Sequence, residues 1–362
     1  MTEPIAWDTA ARVASRVAGR EPFADSYHAD SLTTDFEELT AEAEALVTET
    51  TGLVSNAGPA RARVTDRAGW AQANLSSFRR LLRPLTEKLG EKGPTRGPAA
   101  VVTRNIAGAE VGAMLGWMST RVLGQYDLLI VEDEDADEQD IVYYVGPNIL
   151  ALEKRFGFPP REFRLWLALH EVTHRAQFTG IPWLRHHFLS LVDESLSGVD
   201  TDPKRLLGAL RKAAEEVRAG RNPLDEGGLV ALLASDAQRE TLGKIGGMMS
   251  LLEGHGDVTM DRAGTHLIPS AERFANVLRA RRAKRSGPAK LLAQLIGLEA
   301  KINQYAQGEA FIAAVEEAGG TELLAQAWVA PEWLPSSAEI RAPQQWIERA
   351  STARVDLGIR GA

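Results

Sequence analysis

The chain contains no cysteine. That absence excludes disulfides, thiolate nucleophiles and Cys-ligated metal centres, so any transition-metal site has to be assembled from His and carboxylates. Histidine is itself sparse, at 7 residues in 362, which gives weight to any pair at metal-ligand spacing. Long apolar runs are missing too. A membrane span needs roughly 20 apolar residues, and the best stretch, 99–123, is interrupted by Arg104, Glu110 and Arg121. The opening MTEPIAWDTAARVASRVAGR carries acids and no apolar h-region, so the expectation is a cytoplasmic protein without a secretory signal. Positive charge is not in excess either: the formal charge is -8, which argues against a protein whose main partner is a phosphate backbone. No nucleic-acid or membrane partner is therefore expected. A basic cluster at Arg279, Arg281, Arg282, Lys284 and Arg285 reads as a solvated helix end, where cations suit the negative pole of the dipole.

What is present is enough apolar material, 44% of residues, for one large domain or two ordinary ones. The pattern is mainly helical. Asp8 predicts the cap of a helix ending near Gly19, and Thr34 with Glu37 predicts a capping box opening a helix that runs to about Gly52. A third helix is predicted over 66–89, bent at Pro84 and followed by the linker GEKGPTRGP at 90–98. Gly108, Gly112 and Gly116 recur at four-residue spacing and leave a groove where another helix backbone fits closely. DLLIVED from Asp127 and IVYYVG from Ile141 read as two strands joined by an acidic loop. Asp133, Asp135 and Asp137 imitate calcium-loop spacing, but Glu138 and Tyr144 stand where Gly and a bidentate Glu belong, so a solvated loop is expected. From Pro147 onward the chain returns to helices.

The segment PPREFRLWLALHEVTHRAQF carries the chemistry. Pro160 suits a first helical turn, and Phe163, Leu165, Trp166, Leu167, Leu169 and Val172 leave almost no polar face, so this helix must be buried. His170 and His174 then lie at i and i+4 on one face, where both imidazoles reach a single ion. Glu171 is one step round, too far to ligate but placed to take a proton from a metal-activated water. The expected cofactor is Zn2+, which lowers the pKa of its water to about 7.

A third protein ligand has to come from elsewhere. The metzincin continuation fails, because Gln177 and Gly180 occupy the places of its Gly and His. His186 and His187 follow a break at Gly180 to Pro182 and have no predictable direction. The segment SDAQRETLGKIGGMMSLLEGHGDVTMD opens on a capping box, Ser235 with Gln238, and places Glu253 and Asp257 at i and i+4. There Glu253 is the candidate ligand and Asp257 the candidate partner of a ligand imidazole; His255, between Gly254 and Gly256, is the rival ligand. Tyr305, with Lys301 one turn away, is a candidate donor to a developing oxyanion, and Tyr143 or Tyr144 a candidate border of a substrate cleft.

At HEVTHRAQF and LLEGHGDVTMD the sequence resembles the zinicin-like metallopeptidase type 2 family, common in actinobacteria. The resemblance extends to YYVGPNI at Tyr143 to Ile149 and KINQYAQGEAF at Lys301 to Phe311, and so covers most of the chain. It implies a mainly α, zincin-like fold with a small β-hairpin or sheet, an active-site motif at His170, Glu171 and His174, and Glu253 in the ligand position. The expected organisation is an N-terminal helical region, 1–125, and a zincin-like catalytic region, 126–362, packed as one compact unit. The expected activity is zinc-dependent hydrolysis of a peptide or amide. The alternative is a catalytically silent binding or scaffold protein of the same fold, with a link to deazaflavin coenzyme metabolism that some similar members carry by genomic context. The sequence carries no signal for oligomeric state.

Overall fold

The computed structural model describes residues 3–19, 21–23, 26–83, 86–87, 97–128, 140–198, 235–283 and 298–356. These form a mainly helical protein with one small sheet. In chain order the elements are α1 (Trp7–Ala18), α2 (Tyr27–Asp30), α3 (Leu32–Thr51), β1 (Arg61–Thr65), α4 (Arg67–Leu81), α5 (Pro98–Ser119), β2 (Gly124–Tyr126) and β3 (Ile141–Val145). Then come α6 (Gly146–Phe156), α7 (Pro160–Gly180), α8 (Leu184–Ser197), α9 (Asp236–Gly264), α10 (Ala271–Ala283), α11 (Leu298–Ala325), α12 (Ser337–Arg341) and α13 (Pro343–Asp356). No helix among the described residues is long and apolar enough to cross a membrane.

The contacts divide the chain into two compact units, Met1–Gly180 with Thr259–Ala275, and Ile181–Val258 with Asn276–Ala362. In the first, the strand order is β1-β3-β2, with β1 parallel and β2 antiparallel to β3. Central β3 is buried at every position, and pleating sends its side chains to opposite faces. Ile141, Tyr143 and Val145 pack with Ala14 of α1 and with Trp70 and Ala71 of α4. On the other face Tyr144 stacks on Phe36 of α3, with ring centroids 3.9 Å apart, and shares a 2.8 Å hydrogen bond with Thr40. Both tyrosines are thus core residues rather than the rim of a cleft.

The glycine stripe of α5 does what its spacing predicts. A β-carbon on Gly108, Gly112 or Gly116 would collide with the carbonyl oxygen of Ala6, Ala10 or Ala14, so α1 lies directly against the α5 backbone.

In the second unit, Leu251 of α9 packs with Phe311, Ile312 and Val315 of α11 and with Trp346 of α13. Gly254 of α9 and Gly308 of α11 face each other without room for a β-carbon on either, which explains the costly mid-helix glycine at 254.

Several boundaries differ from the sequence pattern for local reasons. Ala6, not Asp8, occupies the α1 N-cap, leaving Asp8 in the first turn where the macrodipole still favours it. α3 starts at Leu32 because α2 runs into it through Ser31, so Thr34 makes no cap and lies inside the helix. α4 is capped by Asp66 and ends at Leu81, with helical residues again at 83 and 86–87; Pro84 and most of the predicted linker fall outside the described residues. The first strand of the predicted pair is Gly124–Tyr126, earlier than DLLIVED. Residues 129–139, including the acidic loop, are outside the described set. The capping box at Ser235 and Gln238 is formed, with reciprocal hydrogen bonds of 2.9 and 3.3 Å.

Two glycines give opposite expectations. Gly112→Val should lower unfolding stability by about 1–3 kcal/mol through overpacking, whereas Gly243→Ala, with open space around it inside α9, should raise stability by up to about 1 kcal/mol. Urea denaturation of the two variants beside the native chain measures both signs.

Candidate metal centre

Helix α7 is held at both ends by buried guanidinium groups. Near its start, Arg164 donates to the two carboxylate oxygens of Glu153 at 2.8 and 2.9 Å and pairs with Asp35 of α3. Near its end, Arg175 is only 1% exposed. Its Nε and Nη2 donate to Asp140 at 3.0 and 2.6 Å, its Nη1 to Glu44 of α3 at 2.5 Å, and its Nη2 also to the Gly58 carbonyl at 2.7 Å. At about 100° per residue the two arginines, eleven positions apart, fall on the same side of the helix to within about 20°. The rotation of α7 is therefore set twice over.

That rotation aims Glu171 at the edge of the sheet. Its Oε2 accepts the Tyr126 N–H at 3.0 Å, and its stem fills the space that Gly124 leaves by having no β-carbon. Gln125 sits opposite Tyr143, with Leu123 and Asp127 hydrogen-bonded to β3 on either side, so the Gly124 and Tyr126 backbone groups face outward toward Glu171. Burial pushes the Tyr144 phenol well above its usual range; the Thr40 hydrogen bond opposes this and the nearby Glu171 carboxylate adds to it. Tyr144 is accordingly a neutral core residue.

His170 and His174 stand on a different side of the helix. Their rings meet edge to face, with centroids 4.7 Å apart at 84°. The Nδ1 of His174 lies 3.0 Å from Gln177 Oε1, and the Nδ1 of His170 lies 3.2 Å from the Met260 sulfur. Each Nδ1 thus faces a side-chain atom that can accept a hydrogen bond. Met260 is near the end of α9, and Glu253 lies two turns earlier on the same continuous helix. The ligand atoms of His170, His174 and Glu253 all lie within 4.8 Å of one another. Glu253 is buried, at 4% exposure. Two imidazoles and one buried carboxylate, without cysteine, make a donor set that fits a zinc ion and keeps a fourth position for water or substrate.

The other sequence candidates lie as follows. His255 packs edge-on against Trp328, with centroids 5.3 Å apart, and is not in the cluster. Asp257 is half-buried one turn after Glu253. His186 is exposed on α8, while His187 packs against Trp183, and burial, Lys244 and His186 push its pKa down. Tyr305 and Lys301 belong to α11, but their side chains fall outside the described residues, as does most of the basic cluster after Arg279. Sequence reasoning missed Gln177, Met260 and Gly124. Gln177 was findable, because it stands one turn after His174 on a helix that had already been recognised.

A family model described as zincin-like metallopeptidase matches residues 5–347. The chain belongs to that family. Among solved structures, the zincin-like chain is similar to a protein from Chloroflexus aurantiacus described as a candidate hydrolase with a novel fold. The likeness has a TM-score of 0.69 and 29% sequence identity over 96% of this chain and 99% of the other. No curated protein matches the zincin-like chain. The family and the solved structure together point to a hydrolase, and the family implies a metal.

Arg175→Met would leave buried Asp140 and half-buried Glu44 without their cation, and the expected loss of unfolding stability is about 3–5 kcal/mol. Chemical denaturation of the apo-protein reads this directly. A loss no larger than the ~1 kcal/mol of a surface pair would show that the network does not hold the helix.

Proposed function

We propose that the protein is a zinc-dependent hydrolase that cleaves an amide or peptide bond. The observation that carries this reading is the convergence of His170, His174 and Glu253, with Glu171 one residue from the first imidazole. A structural zinc site needs four protein ligands and no base; three ligands with an adjacent carboxylate is the pattern of a catalytic one. In the proposed site His170, His174 and Glu253 hold the ion. When bound, zinc supplies Lewis acidity, lowering the pKa of water to about 7 and polarising a carbonyl.

Glu171 does the proton work. It takes the proton of the attacking water and passes it to the departing amine, so that one carboxylate serves first as base and then as acid. Its seat on the Tyr126 N–H fixes the carboxylate plane, and fixed orientation is what makes such a transfer efficient. Asp257 is proposed as a supporting acid of the same helix. A peptide substrate is favoured by the family, whose description is that of a peptidase.

The test pairs metal analysis with turnover. Native protein and Glu171→Gln should retain equal zinc, while hydrolysis of a peptide library by the variant falls by about 10²–10⁴-fold. Equal rates in the two proteins would contradict the assignment, and zinc-loaded but equally inert proteins would favour a binding module of the same fold.

A further inference from the structure

We propose that Gln177 is a positioning residue for His174: its carboxamide oxygen holds the imidazole in the Nδ1–H tautomer, so that Nε2 keeps the lone pair a metal ion takes. The inference rests on the zinc reading above and adds to it a residue outside the HExxH motif.

Three observations carry it. The side-chain oxygen of Gln177 lies 3.0 Å from His174 Nδ1. Gln177 is 0% exposed. In that setting a purely packing role is better filled by an apolar side chain, because a buried amide must have its hydrogen bonds made or lose about 1–3 kcal/mol. The pair is also local: three residues apart within α7, whose rotation Arg164 and Arg175 fix, so the amide cannot drift away from the ring. The nearby hydroxyls donate to the backbone. Thr173 donates to the Leu169 carbonyl and Thr179 to the Arg175 carbonyl, each within the helix.

His170 has a matching arrangement in weaker form, with the Met260 thioether 3.2 Å from its Nδ1. The acceptor at 177 is a carboxamide, and a carboxylate there should tighten metal binding rather than weaken it. A neutral histidine side chain in water favours the Nε2–H tautomer, so an Nδ1–H ring in the apo-protein is a signature that packing alone does not produce.

The experiment uses the full-length, demetallated protein. Histidine ring ¹⁵N shifts, recorded where the rings are neutral, should show His174 protonated on Nδ1. Zinc affinity, read by competition with a chromophoric chelator, should fall about 10–100-fold in Gln177→Leu, which is similar in bulk and offers no acceptor, without loss of apo-protein thermal stability. Gln177→Glu should bind zinc at least as tightly as the native chain. A native His174 protonated on Nε2, or a Gln177→Leu variant with native zinc affinity, would overturn the proposal. Should Gln177→Leu fail to fold, the native tautomer and the Gln177→Glu affinity still decide it. A native chain that takes up no zinc defeats the hydrolase reading, and the tautomer measurement then judges Gln177 separately.

Discussion

A guanidinium taken out of water is tolerated only where anions and carbonyls surround it, and Arg175 is surrounded by Asp140, Glu44 and the Gly58 carbonyl. Those partners come from the start of β3, from α3 and from the loop before β1, so one residue ties the motif helix to three separate stretches of chain. Arg164 repeats the device three turns earlier with Glu153 and Asp35. Such pairs add little net stability over an apolar core, but they tolerate only one rotation of the helix. Everything functional follows from that rotation. With the arginines facing α3 and the sheet, Glu171 meets the β2 edge, and His170 and His174 turn toward α9.

The site is accordingly layered. In the proposed site the arginine side of α7 supplies orientation, the Glu171 direction a base seated on an edge strand, and the histidine side the metal donors. Gly124 belongs to the second of these layers: its missing side chain is what lets the Glu171 stem approach the β2 backbone. Gln177 and Met260 belong to the third, because each sets an acceptor beside the Nδ1 of one ring. The family match over residues 5–347 and the likeness to the Chloroflexus aurantiacus structure agree with this chemistry at the level of a metal-dependent hydrolase.

Much of this was legible in the sequence wherever the signal is local. The i, i+4 histidines, the buried apolar helix around them, the glycine stripe of α5 and the Ser235–Gln238 cap all depend on spacing within one helix, and all are found where spacing puts them. What was not legible depends on distant partners. β1 is a five-residue strand with arginine at two positions, and it is a strand only because Ile141–Val145 pairs with it some 80 residues later in register Arg61↔Ile141. Thr34 has the pattern of a cap, yet the preceding short helix overrides it. The reason for Gly254 is Gly308, far along the chain, and neither glycine alone announces the other. The choice between Glu253 and His255 was open in the sequence because two residues on one helix differ by about 200° in direction. In the structure Glu253 joins the histidines and His255 turns to Trp328.

The central claim is that one ion is held by two imidazoles and one carboxylate. X-ray absorption at the zinc edge of the purified, zinc-loaded protein measures the coordination shell itself. The account predicts two imidazole nitrogens at about 2.0–2.1 Å with the remaining ligands oxygen. A shell with three imidazoles, or a metal coordinated by none, would contradict it.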